Sequence, residues 1–179
     1  TEVQNGEIHQ KEEGKTAVTD ETGIAKITGL ELDKVYCYYE SKAPDGYKLD
    51  DTKHYITYKK IDESLEKLYN TNGSFSYGQK GTTISVEDEK TMVSIKKVDR
   101  DGNPVTGAAL AIKDAETGEI VKRWTTDGNV KEITGELIAG RTYYLIEEKA
   151  PEGYLIAADV EFTVPLKVDE DPLEVTMTD

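Results

Sequence analysis

Residues 143–154 read Tyr-Tyr-Leu-Ile-Glu-Glu-Lys-Ala-Pro-Glu-Gly-Tyr, and residues 36–47 read Tyr-Cys-Tyr-Tyr-Glu-Ser-Lys-Ala-Pro-Asp-Gly-Tyr. The two stretches are diverged copies of one segment, and the likeness extends upstream. Ile27-Thr28-Gly29 matches Ile133-Thr134-Gly135, Thr19-Asp20 matches Thr126-Asp127, and Gly6-Glu7-Ile8 matches Gly118-Glu119-Ile120. A duplication of this length predicts two related domains, residues 1–88 and 92–179, with a boundary near residues 88–91. The copies differ at their edges. The second has two strand-like segments between Met92 and Ile112, ahead of its Gly-Glu-Ile. The first has only five residues before Gly6, so it is expected to lack those opening strands, and the sequence is expected to be part of a longer product. After Gly46-Tyr47 the first copy carries an insertion. There Ile61, Leu65 and Leu68 fall at helical spacing behind Asp62, a suitable N-cap, which predicts a short helix over 62–70.

Elsewhere the period is two. Val93-Ser94-Ile95-Lys96-Lys97, Val160-Glu161-Phe162-Thr163-Val164 and Glu174-Val175-Thr176-Met177-Thr178 alternate apolar and polar. Asp101-Gly102, Thr117-Gly118, Asp127-Gly128 and Pro151-Glu152-Gly153 supply turn signals between such runs. Short strands broken at this spacing predict an all-β chain of tandem Ig-like β-sandwich domains, with one short helix in the insertion of the first.

Composition narrows the function. The 179 residues carry 22 Lys and Arg against 36 Asp and Glu, a formal charge of −14. Binding to phosphate backbones or anionic lipid needs surplus cations, so neither nucleic acid nor membrane is an expected partner. A single cysteine, Cys37, excludes an intrachain disulfide and a cysteine-rich zinc site, and two histidines leave little for metal chemistry. No cofactor or metal is expected. No apolar run reaches membrane-spanning length, and the first residues lack the basic and apolar regions of a signal peptide.

Alternation also says which side chains share a face. Val93 and Ile95 are followed on their face by Lys97. Tyr143 and Leu145 are followed by Glu147, and Val175 and Met177 by Asp179. Three apolar stripes thus each run into an ionisable group. Burying an unpaired charge is costly, so either these residues meet one another or each stripe stops at a sandwich rim. In the first copy Tyr36 and Tyr38 lead to Glu40, while Ile84 and Val86 lead to Asp88. A counterpart of Lys97 belongs on the opening strand. Lys11 and Lys15 precede the wrong strand and are not assigned that role.

These residues resemble the CnaB-type, or SpaA-like pilin, domains of Gram-positive surface proteins. The pattern is carried by Lys97-Val98-Asp99, Gly107-Ala108, Glu147 ahead of Ala150-Pro151-x-Gly153-Tyr154, and Met177-Thr178-Asp179. It covers residues 92–179 in full and 1–88 in part. The resemblance implies a prealbumin-like sandwich and a spontaneous isopeptide bond, with Lys97 as nucleophile, Asp179 as electrophile and Glu147 as proton shuttle. Glu40 and Asp88 would be the first-domain counterparts. The chemistry suits the residue types, because an amine is nucleophilic only when neutral, and a dry environment favours neutral amine and neutral acid. With an aspartate as electrophile the leaving group is water. The reaction occurs once per molecule, so the chain is not expected to be a turnover enzyme.

Other motifs fail on inspection. Ser94-x-x-Lys97 needs a helix start, and on a strand its two side chains point to opposite faces. Gly14-Lys15-Thr16 lacks the first glycine of a phosphate loop, whose place His9 takes. Asp99-x-Asp101-x-Asn103 has Pro104 at the glycine position of a calcium loop and reads instead as a tight turn. Cys37 faces away from Glu40 and reads as an inert thiol. The expected role is a stalk or shaft segment of a pilus or wall-anchored adhesin, located outside the cell at the cell wall. Its expected partners are neighbouring domains or pilin subunits. The alternative is a module whose loops, or the first domain's insertion, contact a host ligand such as a matrix protein; clustering of exposed aromatics such as Tyr55, Tyr58, Tyr69 and Tyr77 into a surface patch would favour it.

Overall fold

The computed structural model describes residues 1–11 and 14–179. They form two compact units, residues 1–40 with 51–86, and residues 41–50 with 87–179.

In the first unit β1 (Glu2–Gln4) and β2 (Glu7–His9) form an antiparallel hairpin. Its turn uses Asn5 and Gly6, both at positive φ, as a two-residue hairpin turn demands. A three-stranded sheet follows, β3 (Val35–Tyr38), β4 (His54–Thr57) and β5 (Ser74–Tyr77), with β3–β4 antiparallel and β4–β5 parallel. The parallel pair requires a crossover, and the predicted helix supplies it as α1 (Glu63–Thr71). Asp62 caps it by accepting from the Leu65 amide at 3.0 Å, and Glu63 and Glu66 favour the positive end of the helix dipole.

Three expectations change in this unit. The helix buries Tyr69, four residues beyond Leu65, rather than Leu68, and Tyr69 packs with Tyr55 and Phe75 at ring distances of 4.8 and 5.7 Å. Tyr55 and Tyr69 are therefore core residues and contribute to no surface patch of aromatics. On β3 the buried cluster takes the Val35 and Cys37 face, not the Tyr36 and Tyr38 face, because α1 and the hairpin cover only that side. Burial pushes the Cys37 thiol up, in keeping with an inert cysteine. Finally, residues 84–88 form no strand, and Ile84, Val86 and Asp88 are exposed. A closing strand needs an opening strand beside it, and among the described residues of this unit none is paired with 84–88.

The second unit is a complete sandwich. One sheet runs β11-β10-β7-β8, built from β7 (Thr106–Asp114), β8 (Ile120–Asp127), β10 (Thr142–Lys149) and β11 (Val160–Thr163). The other runs β12-β6-β9, from β6 (Met92–Val98), β9 (Lys131–Thr134) and β12 (Leu173–Thr178). All pairs are antiparallel except β6 and β12. The inner faces meet through Val93, Ile95, Leu110, Ile112, Ile133, Leu145, Val175 and Met177, among others. Each such side chain contributes roughly 1.5–3 kcal/mol by leaving water.

The duplication is also written in the turns. Tyr143 Oη accepts from the Ile138 amide at 3.1 Å, and Tyr36 Oη from the Glu31 amide at 2.7 Å, each five residues back. Both Ala-Pro-x-Gly-Tyr turns close with the tyrosine amide donating to the proline carbonyl at 3.1 Å. Asp20 and Asp127 each accept from the amide two residues on. The repeat places all of residues 1–88 in the first domain, whereas Ser41–Asp50 and residues 87–88 pack in the second unit. Tyr47 bridges to Lys90, and the buried Lys48 ammonium pairs with Glu89 at 2.7 Å.

The β7–β8 turn is held by Asp114, whose carboxylate accepts from the Glu116 and Thr117 amides and pairs with Arg141 Nε at 2.7 Å. The Thr117 amide foremost, with Glu116 and Arg141, holds this carboxyl below its usual value. A group depressed in the folded state contributes stability above its unfolded pKa of about 3.9 and loses it as pH falls through the folded value. Asp114→Asn is therefore expected to lower thermal stability at pH 7 and to narrow its gap to the parent chain as pH falls through the lowered folded-state value. Melting curves across that range check it.

Candidate functional site

Parallel pairing of β6 and β12 decides the site. Met177 lies opposite Lys97 and Thr178 opposite Val98, and the Asp179 amide donates to the Val98 carbonyl at 3.0 Å. The end of the last strand is thereby fixed beside the end of the first. Alternation then turns Lys97 inward behind Val93 and Ile95, and Asp179 behind Val175 and Met177. Glu147 comes from β10 in the facing sheet, opposite Leu110 and next to a register shift.

Of the two readings left open by the stripes, the rim is the one excluded for all three residues. Their side chains are 1%, 0% and 4% exposed for Lys97, Glu147 and Asp179. Lys97 Nζ donates to Asp179 Oδ1 and lies 3.5 Å from Glu147 Oε1. Glu147 Oε2 accepts from the Ala157 amide at 2.7 Å. Glu147 Oε1 and Asp179 Oδ2 are buried with no hydrogen-bond partner. With every group ionised the cluster would hold one positive and two negative charges away from water, which is unfavourable. An amine touching a carboxyl group in a dry pocket, with a second carboxyl close by, is equipped for condensation.

The Ala157 amide has no signature in the periodicity. It reaches Glu147 because the Ala150–Tyr154 turn reverses the chain, so that a residue ten positions downstream returns to the strand it left. Of the first-copy counterparts, Glu40 lies just past β3 in the first unit and Asp88 is exposed in an irregular stretch of the second. Lys11 pairs with Glu2 at 3.1 Å and Lys15 donates to the Thr28 carbonyl at 2.8 Å. Asp99 forms the tight turn expected of it, accepting from the Asp101 and Asn103 amides. Among the described residues no cluster of three His, Cys, Asp or Glu side chains is arranged to hold a metal. None of the helices described is long and apolar enough to cross a membrane.

A seven-stranded sandwich closed by a parallel pair of first and last strands, following a partial copy of itself, defines a tandem protein of prealbumin-like domains. The chain belongs to the SpaA family of prealbumin-like fold domains, whose model matches residues 2–73 and 91–179. No curated protein matches it. Among solved structures it is similar to the Bacillus anthracis TIE protein, at 22% identity and TM-score 0.48, over 91% of this chain and 28% of that one. It is similar to BcpA, the major pilin subunit of Bacillus cereus, at 25% identity and TM-score 0.39, over 49% and 28%. It also resembles the shaft pilin SpaA of Lactobacillus rhamnosus GG, at 13% identity and TM-score 0.39, over 90% and 68%. The chain spans 28%, 45% and 28% of the first three solved structures it resembles.

Proposed function

We propose that this chain is a load-bearing stalk segment of a pilus or wall-anchored surface protein, with its second unit locked by an isopeptide bond between Lys97 and Asp179. The observation that carries the reading is the buried contact of the Lys97 amine with the Asp179 carboxyl beside Glu147. Proton transfer from ammonium to carboxylate yields a neutral amine and a neutral acid, the pair favoured without water. Nζ attacks Cγ of Asp179, and Glu147 shuttles the amine proton to the departing hydroxyl. One C–N bond forms, one C–O bond breaks and one water leaves. The fold makes the reaction unimolecular by holding the groups together, which substitutes for a high concentration of either. Such a tie suits a protein under tension outside the cell, where a chain with one cysteine has no disulfide to use. Assembly partners in this reading are neighbouring domains or pilin subunits.

Intact-mass measurement tests it. The folded chain is expected to weigh one water less than its sequence, with a tryptic branched peptide joining Lys97 to Asp179. Lys97→Ala and Asp179→Ala should restore the full mass, and Glu147→Ala should slow or abolish the loss. Asp179→Asn should instead lose one ammonia. Lys96→Ala and Asp88→Ala should change nothing, since Lys96 points outward to Glu174 and Asp88 is exposed. An unmodified mass for the folded chain rejects the bond.

A further inference from the structure

The two Ala-Pro-x-Gly-Tyr segments have the same turn and opposite surroundings. In the first copy the residues that follow the turn are seated in the second unit. The Thr91 amide donates to the Gly46 carbonyl at 2.9 Å, the Lys48 amide to Glu89 at 2.7 Å and the Leu49 amide to Leu166 at 2.8 Å. The Val168 amide returns a bond to the Leu49 carbonyl at 3.2 Å. Gly46 sits so close to Gly135 that a Cβ would overlap its carbonyl oxygen. These are isolated bridges made by backbone groups, and pairing of this kind depends little on side-chain identity.

In the second copy the equivalent positions are bare. Tyr154, Leu155 and Ile156 are 41%, 88% and 62% exposed, and no strand covers residues 154–158. Three consecutive large apolar side chains in water, held in place by the Ala157 bond to Glu147, form a surface shaped for a partner. We infer that residues 153–156 dock onto a further prealbumin-like domain, at the margin corresponding to Glu89–Thr91 and Leu166–Val168 of this one. The internal repeat names the occupant, because this chain shows the same segment of its first copy in that seat. Side chains refine the choice. Lys48 is buried and needs the Glu89 carboxylate, whereas Leu155 stands in its place, so the accepting domain requires an apolar contact there and no acid. The margin in this chain is already filled by residues 46–49, so isolated molecules do not associate through it. The inference is independent of the covalent bond.

The test appends a second copy of residues 89–179, carrying Glu89→Leu, directly after Asp179 and follows amide hydrogen exchange. The Leu155 and Ile156 amides should exchange at least tenfold more slowly in the extended chain than in the 179-residue chain. Leu155→Asp with Ile156→Asp should remove that protection while leaving the melting of the shorter chain unchanged. Equal exchange in the two chains overturns the inference. Should the appended copy fail to fold, Gly46→Val with Glu89→Leu in the 179-residue chain supplies the test in trans, by expelling the resident segment and opening a margin without the acid. Sedimentation should then show head-to-tail association that is abolished by Leu155→Asp. Monomers at every concentration, or association indifferent to Leu155→Asp, overturn it equally.

Discussion

Lys97→Met is expected to lower the melting temperature of the second unit by about 10 °C or more. Lys97 and Asp179 are 82 positions apart, so a bond between them closes nearly the whole unit into a loop. Loop-closure entropy for that length corresponds to roughly 4–5 kcal/mol. Such a loss is a large share of the ~5–15 kcal/mol by which a domain is stable. Each kcal/mol moves a domain of this size by about 4–8 °C. Methionine keeps the volume of the lysine stem and removes only the amine, so cavity formation contributes little. It also leaves Glu147 and Asp179 without a cation, which adds to the loss. Asp179→Asn separates the two contributions. It keeps a reactive carbonyl, and it should melt close to the parent chain wherever its mass shows one ammonia lost. Equal melting of the parent and Lys97→Met would reject the lock.

The second large effect is mechanical. Pulled between points outside Met92 and Asp179, the parent unit should yield almost no added contour length. With the proposed bond in place, force entering along β6 would pass across it at Lys97 and leave through Asp179, and the intervening chain would carry none of it. Without the amine, as in Lys97→Met, the same pull should release the 82-residue span, roughly 270–300 Å at full extension. Single-molecule force spectroscopy on chains extended beyond Asp179 reads the difference directly. Full extension of the parent would remove the load-bearing role.

Much of this was legible because a strand has period two. The inward placement of Lys97, Glu147 and Asp179 follows from their neighbours alone, and Asp62 with Leu65 marks the helix start. What alternation cannot state is which strand ends are neighbours. That depends on the parallel register of β6 and β12, a pairing of residues far apart in sequence. The first unit was less legible for a related reason. Tyr36 and Val35 are both suited to a core, and α1 and the hairpin decide which face is buried. Ile84 and Val86 alternate as a strand should, yet hydrogen bonding to a neighbour makes a strand, and alternation does not supply the neighbour. Residues 41–50 read as part of the first domain because the repeat says so. Their backbone bonds to Glu89, Thr91 and Leu166 carry no side-chain signature.

The pairing of β6 with β12 also sets a schedule. The second unit's lysine is made early and its carboxyl partner last, and the sandwich cannot close until both strands exist. High contact order of this kind makes closure a late event in folding. A nascent chain therefore remains an open thread for as long as its final strand is missing. Only a molecule that has reached its native arrangement brings amine and carboxyl together. A link formed there would record that the molecule had folded correctly, and misfolded chains would stay unlinked and open to proteolysis.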